Sequence, residues 1–334
     1  MKYNTFIGID VSKEKLDFVV IRNGVTLFHQ VVANNEKGIK AFFKSLPVQL
    51  NQDTCCLFCL EHTGIYCYPF LSFAADKDLS VWLESATKIN AFHGAYRDKN
   101  DKVDALRIAE YAAAKVHKVH LWKPERKIIQ RLKSMISLRD RLIKTKTSLS
   151  VPSNEEELYT DKEWHKEHQK RLKPVLDKMT EQIRDIEQQM KKFLDEDQQL
   201  SKLYQLASSV KGVGLIVAVN IIVVSNEFKS ISEPKKMACH CGVVPFTKQS
   251  GKSLKTRSKV SKKANKKMKT LLNLSARSAV GSKGELRDYY LRKVAEGKNK
   301  MSALNAVRNK IIHRVFACVR DNRKYDNNYI NQLA

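Results

Sequence analysis

The sequence contains no apolar run that approaches the roughly 18 residues of a membrane-spanning helix. No amphipathic anchor segment stands out either, which disfavours attachment to an acidic membrane surface. The first residues, Met-Lys-Tyr-Asn, lead directly into a predicted strand, so we expect no signal peptide. These absences predict a cytoplasmic protein and exclude a role within the membrane.

Cysteine is too sparse for a disulfide framework, because the 334 residues include seven cysteines, an odd number. Cys56 and Cys59 lie in an apolar strand, where alternation sends them to opposite faces and into the core. Cys239-His240-Cys241 offers metal-binding side chains, but no second ligand pair follows at the spacing of zinc sites. A disulfide-rich fold and a structural zinc site are both disfavoured.

Acidic residues are scarce, with 35 Asp and Glu against 61 Lys and Arg, which gives a formal net charge of +26. Between Lys229 and Lys283 fifteen basic residues accompany one acidic residue, Glu233. Apolar residues are interleaved with these charges, so we predict a folded domain and not a solvated tail. The first explanation for such an excess is a polyphosphate partner, and therefore a nucleic acid.

Four of the few acidic residues are placed informatively in the first third of the chain. Asp10 and Glu61 each close an apolar run, while Asp101 and Asp104 lie three residues apart at the start of a helical pattern. Carboxylates at two strand ends and on one helix face can converge, and hard cations such as Mg²⁺ or Mn²⁺ take oxygen ligands of this kind. The pattern predicts a metal site that acts on phosphodiesters. Asp17 and Asp98 are alternative ligands.

The order of predicted elements indicates an α/β domain over residues 1–120. Three strands come first, two of them joined by the hairpin dipeptide Asn23-Gly24, and strands then alternate with helices. This order is that of an RNase H-like fold, in which the carboxylate of the first strand lies at the sheet centre beside that of the next parallel strand. The predicted strands are 5–11, 16–22, 25–32, 54–61 and 80–83, and the helices are 36–45, 66–77 and 102–115.

The middle of the chain, residues 121–199, is predicted to be helical. A basic amphipathic helix runs from Pro124 to Ser150, a break follows over Val151–Thr160, and a second helix covers Asp161–Glu196. Apolar residues in the second helix alternate spacings of four and three from Leu172 to Phe193, which is typical of a coiled coil. Its partner is either the preceding helix, in an antiparallel hairpin, or a second copy of the chain.

Residues 200–334 form a third predicted domain, mainly helical and basic. Gly212-x-Gly214 marks a turn between helical stretches, which either presents backbone N–H groups to a phosphate or is a plain tight turn. Ser250 stands beside Gly251 in a loop rich in lysine. A serine hydroxyl can attack a phosphodiester where positive charge and in-line geometry are supplied, although composition alone leaves Ser250 as a turn residue.

Basic residues near these two candidate sites are predicted to contact phosphates. In the first domain they flank the acidic residues, and in the third they surround Ser250. They are Lys13, Lys99, Lys102, Lys248, Lys252, Lys255, Arg257, Lys262 and Lys263.

Three phrases of the first domain resemble the DEDD insertion-sequence transposases, a group whose relatives include the pilin-gene invertases. They are Gly8-Ile-Asp-Val-Ser-Lys13, Leu60-Glu-His-Thr-Gly-Ile-Tyr66 and Lys99-Asn-Asp-Lys-Val-Asp-Ala-Leu-Arg-Ile-Ala-Glu-Tyr111. The second half adds Val210-Lys-Gly-Val-Gly214, Gly242-Val-Val-Pro245, Ser250-Gly-Lys252 and Ser261-Lys-Lys-Ala-Asn265, where the family often has Gly in place of Ala264. The matching motifs follow in order from the first strand to about residue 310.

The resemblance implies an RNase H-like domain, a coiled coil and a C-terminal transposase domain. It implies that Asp10, Glu61, Asp101 and Asp104 bind Mg²⁺ and that Ser250 forms a covalent phosphoserine link to DNA. A structured bridge RNA would pair with donor and target DNA, so that base pairing supplies the specificity. Because strand exchange holds several DNA ends at once, we expect a homodimer that forms a tetramer on DNA, associated with the nucleoid.

Two other functions fit the residues. One is a metal-dependent nuclease of the Holliday-junction type, in which water attacks and no serine link forms. The other is a non-catalytic nucleic-acid-binding protein with a decayed acidic site, which the complete set of four carboxylates disfavours.

Overall fold

The computed structural model describes residues 3–46, 55–94, 100–156, 159–246, 249–250, 254–255, 259–260 and 264–326. The chain forms two compact units, Met1–Pro124 and Glu125–Ala334. Within the described part of the chain, no helix combines the length and the apolar character that crossing a membrane requires.

The first unit is built on a mixed sheet of five strands. They are β1 (Thr5–Val11), β2 (Lys15–Arg22), β3 (Val25–Ala33), β4 (Cys56–Glu61) and β5 (Val81–Glu84), in the order β3-β2-β1-β4-β5. β1 is antiparallel to β2 and parallel to β4, so the first strand lies at the centre of the sheet. Asn23 and Gly24 both have positive φ, 51° and 79°, as a tight hairpin turn of type I′ requires.

Helices cover both faces of this sheet. They are α1 (Glu36–Ser45), α2 (Tyr68–Asp76), α3 (Ala86–His93) and α4 (Asp101–Ala114), with short 3₁₀ turns at Gly64–Cys67 and Val116–Lys118. One face packs a core of Ile, Leu and Phe side chains under α1 and α2, while α4 lies on the other face. Cys56 and Cys59 are buried in the two opposite cores, as the strand alternation predicts.

Gly8 determines how closely α4 approaches the central strand. A Cβ atom at Gly8 would lie 2.1 Å from the carbonyl oxygen of Ala105 and 2.5 Å from the backbone nitrogen of Ala109. Both atoms belong to the backbone of α4, so no side-chain rotation relieves the overlap. A glycine is therefore required for α4 to rest directly on β1.

The second unit is mainly helical, as the sequence predicts. Its helices are α5 (Lys127–Glu156), α6 (Lys162–Glu196), α7 (Gln198–Ser208), α8 (Leu215–Val224), α9 (Pro234–His240), α10 (Lys266–Gly281), α11 (Glu285–Ala295) and α12 (Lys300–Arg320). Between α9 and α10 the described residues include four two-residue strands: β6 (Pro245–Phe246), β7 (Gln249–Ser250), β8 (Leu254–Lys255) and β9 (Lys259–Val260). β6 pairs with β9, and β7 pairs with β8.

The helices α5 and α6 form an antiparallel hairpin within the chain. Arg139 Nε donates to Glu187 Oε1 at 2.7 Å, and Lys146 Nζ donates to Thr180 Oγ1 at 2.7 Å. Residue numbers rise along one helix as they fall along the other, which establishes the antiparallel direction. The preceding helix is therefore in contact with the helix that carries the heptad pattern.

The predicted break over Val151–Thr160 begins too early, because α5 continues through Pro152 to Glu156 and the next helix begins at Lys162. Proline in a helix removes one backbone hydrogen bond and normally ends the helix. Here the last turn packs against α6, where Gln169 Nε2 donates to the buried Ser153 Oγ at 2.9 Å. Tertiary packing therefore stabilises a turn that the local sequence disfavours.

Gly212 has the positive φ, 84°, of a tight turn. A Cβ atom there would lie 2.3 Å from the carbonyl oxygen of Ser275 in α10. The glycine is therefore needed for close packing inside the second unit, which favours the tight-turn interpretation of Gly212-x-Gly214 over phosphate binding.

Candidate active site

Four carboxylates form a row across neighbouring strands of the first sheet. The strand register pairs Asp10 with Asp17 and Glu61 with Glu84. In the parallel pair of β1 and β4, the residue before Asp10 is opposite the residue before Glu61, so these two carboxylates come next to each other. Cross-strand partners point to the same face. Asp10 shares that face with Gly8, two residues earlier, so the row lies on the face that α4 covers.

The first turn of α4 adds two more carboxylates, Asp101 and Asp104, to this end of the sheet. Asn100 begins the helix, and its side chain accepts a hydrogen bond from the backbone N–H of Lys102. Burial, and after it the negative charges of Asp101, Asp104, Asp17 and Glu61, together raise the pKa of Asp10 to about 6. The four predicted carboxylates therefore share one electrostatic environment.

Lys15 neutralises part of this negative charge. Its Nζ lies 2.6 Å from Asp101 Oδ2 and 3.3 Å from Asp17 Oδ2, and these hydrogen bonds raise the pKa of Lys15. Asp17 is buried, at 3% exposure, and its Oδ1 is also 3.2 Å from His29 Nε2. Asp17, the alternative first ligand, is thus held by Lys15 and His29.

Asp104 is also paired, since its Oδ1 accepts a hydrogen bond from Arg107 Nη1 at 3.2 Å. Sequence reasoning missed Lys15, His29 and Arg107 as members of the site. Arg107 could have been found from its i, i+3 spacing on the helix. The signal for Lys15 is not local, because its partner Asp101 lies on an element far along the chain.

The chemistry of these side chains fits a divalent cation. The donors are carboxylate oxygens, the ligands that Mg²⁺ prefers. Burial raises the pKa of Asp10, and repulsion by the neighbouring carboxylates adds to the rise; a cation would relieve this repulsion. Among the described residues, no group of three or more His, Cys, Asp or Glu side chains has an arrangement that could bind a metal ion. The ammonium group of Lys15, 2.6 Å from Asp101 Oδ2, supplies a positive charge beside that carboxylate.

Glu84 ends the row and is fully bonded. Its carboxylate accepts hydrogen bonds from Tyr111 Oη at 3.2 Å, from the backbone N–H of Ser85 at 2.8 Å and from Lys88 Nζ at 3.1 Å. Burial, together with the charge of Glu84, raises the pKa of Tyr111 to about 12, so the phenol stays protonated and donates. Glu84 is therefore held in one position in the site. The predicted strand 80–83 ends one residue before it, so the sequence analysis did not include Glu84.

Ser250 lies in the second unit, at the end of the two-residue strand β7. Its backbone is opposite Leu254 of β8 in the antiparallel pair. Of the predicted phosphate-contacting residues, Lys13 and Lys102 are exposed in the first unit, and Lys255 belongs to β8. The others lie outside the described residues, as does Asp98: Lys99, Lys248, Lys252, Arg257, Lys262 and Lys263.

The Cys239-His240-Cys241 sequence does not form a metal site in the described part of the chain. Cys239 is exposed at the end of α9, whereas Cys241 is buried. Burial raises the pKa of the Cys241 thiol to about 12 and lowers that of His240. A buried neutral thiol of this kind is a core residue.

Comparison with known proteins matches both halves of the chain to transposases. A family model named for IS110 DEDD transposases, described as "Transposase", matches residues 7–152. A second, described as "Transposase IS116/IS110/IS902 family", matches residues 204–291.

Several individual proteins are similar over most or part of the chain. The pilin gene-inverting protein of Moraxella lacunata is 24% identical over 332 residues, 96% of this chain and 98% of that protein. That of Moraxella bovis is 23% identical with the same coverage. An uncharacterized 43.6 kDa protein of insertion element IS110 from Streptomyces coelicolor is 29% identical over 146 residues, 44% of this chain and 35% of that protein.

Proposed function

The chain belongs to the IS110 family of transposases, and from this premise we propose that it cuts and rejoins DNA with a metal-bound carboxylate site and a serine nucleophile. The observation that carries the proposal is the environment of Asp10, where burial and the neighbouring charges of Asp101, Asp104, Asp17 and Glu61 together raise its pKa to about 6. The folded chain keeps these carboxylates close together, although neutral side chains at the same positions would avoid the repulsion between them. Strained electrostatics of this kind cluster at functional sites.

Asp10, Glu61, Asp101 and Asp104 are the proposed ligands of Mg²⁺, with Mn²⁺ as a substitute. When bound, the ion would polarise the non-bridging oxygens of the scissile phosphate. Lys15 then gives up its contact with Asp101, and its ammonium group is free to bind a phosphate oxygen instead. Asp17 and Glu84, each fixed by hydrogen bonds, hold the ends of the row in place.

Ser250 is the proposed nucleophile, on the basis of family membership and of its position beside Gly251. Its hydroxyl loses a proton and forms a bond to phosphorus, one bridging P–O bond breaks, and the departing oxygen gains a proton. In the reverse step the hydroxyl of another strand attacks the phosphoserine, which restores a phosphodiester and frees the serine. The bond energy is conserved, so rejoining requires no external energy source.

The same proposal extends to the domains of the chain and to its partners. The strand order β3-β2-β1-β4-β5, with the first strand central, supports an RNase H-like catalytic domain over residues 1–120. Residues 121–199 would then be a coiled-coil region and residues 200–334 the transposase domain. The net charge of +26 supports binding of donor DNA, target DNA and a structured bridge RNA. Homodimers would pair into tetramers on nucleoid DNA, and the pilin gene-inverting relatives raise inversion as a possible outcome of strand exchange.

Trapping of a covalent protein–DNA adduct tests the proposal. We expect wild-type protein incubated with Mg²⁺, DNA and the RNA that copurifies with it to form an adduct that survives denaturation. Ser250→Ala should abolish the adduct and keep DNA binding, while Asp104→Ala should abolish Mg²⁺-dependent cleavage.

Two results would contradict it. Cleavage without any adduct would identify a nuclease in which water attacks. Absence of both cleavage and Mg²⁺ binding by calorimetry would identify a non-catalytic binding protein.

A further inference from the structure

A cleft beside the carboxylate row combines a basic rim with exposed aromatic surface. It has a volume of about 790 Å³ and is open to solvent. Trp82, Glu84 and Tyr111 form its floor, and all three are buried. A cleft of this size accommodates a small organic group such as a nucleotide.

The walls of the cleft carry the features of a platform for single-stranded nucleic acid. Phe92 is 39% exposed on α3, and its ring is edge-on to Tyr111 at 5.6 Å. Lys115 Nζ lies 5.2 Å from the centre of the Phe92 ring, and Lys118 lines the same wall. An exposed ring can stack a base, and ammonium groups in the same cleft can bind the adjoining phosphate.

The charge of the cleft favours a polyanion. Its only lining carboxylate, among the residues described, is that of Glu84, which is already bonded to Tyr111, Ser85 and Lys88. The ammonium groups of Lys115 and Lys118 are not paired with Glu84, and His117 and His120 lie near them. The rim therefore carries net positive charge, whereas the row beside it is negative.

The position of the cleft relates it to the proposed chemistry. Glu84 is both the last carboxylate of the row and part of the cleft floor, and it lies opposite Glu61 in the sheet register. Neighbouring strands are about 4.8 Å apart, so the cleft begins about two strand spacings from Asp10. A DNA strand whose scissile phosphate lies at Asp10 and Glu61 would bring its next nucleotide to the cleft.

We propose that this cleft binds an unstacked nucleotide of the DNA strand that flanks the scissile phosphate, with its base on Phe92 and its phosphate on Lys115 and Lys118. This inference rests on the proposed function, because it takes the carboxylate row as the place of cleavage. The cleft would hold the strand away from its complement, so that the scissile phosphate stays at the row.

Fluorescence of 2-aminopurine, measured with the full chain in EDTA, tests the cleft without requiring cleavage. A thymine oligodeoxynucleotide with one central 2-aminopurine should be quenched on binding, because the base stacks on Phe92. Phe92→Ala should weaken binding about tenfold and remove the quenching, whereas Phe92→Tyr should keep both. Unchanged quenching in Phe92→Ala would overturn the proposal.

The lysines are tested separately, since their removal from the surface leaves the core intact. The double variant Lys115→Ala, Lys118→Ala should make the slope of log affinity against log salt shallower by about 1.4, the value for two contacts to a single strand. The matched control is Lys37→Ala, Lys44→Ala, on α1 at the opposite face of the sheet, which should leave the slope unchanged. Equal slopes for the two double variants would overturn the phosphate contact.

Two further outcomes separate this inference from others. An RNA oligonucleotide of the same sequence is the comparison, and tighter Phe92-dependent binding of RNA than of DNA would overturn the assignment to DNA. If the Phe92 variants bind as wild type does while wild type still forms the Ser250 adduct, the cleft proposal fails and the proposed function stands. If the Phe92 dependence holds but no adduct forms, the proposed function fails, and the cleft remains as a binding site whose link to cleavage is overturned.

Discussion

Replacement of Asp10 by Asn should stabilise the folded protein while it removes metal binding. The Asp10 carboxyl is half-buried and crowded by other carboxylates, and its pKa rises from 3.8 to about 6. The ionised form is therefore less favourable in the folded state than in the unfolded chain. An amide of nearly the same shape carries no charge, so it avoids both the desolvation and the repulsion.

The size of the effect follows from the pKa. Each pKa unit corresponds to about 1.4 kcal/mol, so a rise from 3.8 to about 6 gives a ceiling of about 3 kcal/mol at pH 7.5. Asp10 keeps contact with solvent, which screens the repulsion, and we expect about 1–1.5 kcal/mol. The size of the effect depends on pH, because between pH 3.8 and about 6 the folded state binds more protons than the unfolded state. Wild-type stability therefore falls as pH rises through this window.

Urea unfolding in EDTA measures this difference, with the fluorescence of the buried Trp82 as a probe of the first unit. Asp10→Asn should unfold at higher urea than wild type at pH 7.5, and about half of the advantage should disappear at pH 5. Added Mg²⁺ should stabilise wild type and not the variant. Asp76→Asn, an exposed position at the end of α2, is the matched control and should change stability by less than about 0.5 kcal/mol. An Asp10→Asn variant no more stable than wild type at pH 7.5 would refute the raised pKa of Asp10 and the burial and repulsion that cause it.

Two further substitutions test the packing and the charge of the same site. Gly8→Ala should lower the free energy of unfolding by about 1–3 kcal/mol, because the new methyl group overlaps the Ala105 carbonyl of α4. Gly281→Ala is the control and should be nearly neutral, because an added Cβ there meets no neighbouring atom within 4 Å. Equal urea midpoints for the two variants would contradict the close approach of α4 to β1. Lys15→Met should raise Mg²⁺ affinity about tenfold in calorimetry, because it removes a competing charge beside Asp101. Lys15→Arg keeps that charge and should bind Mg²⁺ as wild type does. Weaker Mg²⁺ binding by Lys15→Met would contradict the prediction and show that the lysine assists metal binding.

The elements with strong local signals were predicted closely. The helix Glu36–Ser45 begins at Asn35, whose side chain accepts a hydrogen bond from the Gly38 N–H, and it occupies the predicted residues. The hairpin at Asn23-Gly24 likewise follows from two residues that tolerate positive φ. Such signals lie within a few residues of the structure they determine, so the sequence alone is sufficient to find them.

Elements that depend on distant contacts were missed or misplaced. The helix Ala86–His93 was not predicted, since Ser85 makes no side-chain cap and Ile89 is its single buried residue. The continuation of α5 through Pro152 depends on the contact of Ser153 with Gln169 in the next helix. Neither feature has a periodic or capping pattern of its own.

The sequence by itself determined which carboxylates stand at strand ends and at the start of a helix, because chain order and turn chemistry are local properties. Only the tertiary structure decided that Lys15 contacts Asp101, that Glu84 extends the row and that a basic cleft opens beside it. The pairing of β4 with β5 places Glu84 beside Glu61, and Gly8 lets α4, which begins at Asp101, lie directly on β1. Contacts between elements so far apart in the chain depend on this packing and not on any local pattern.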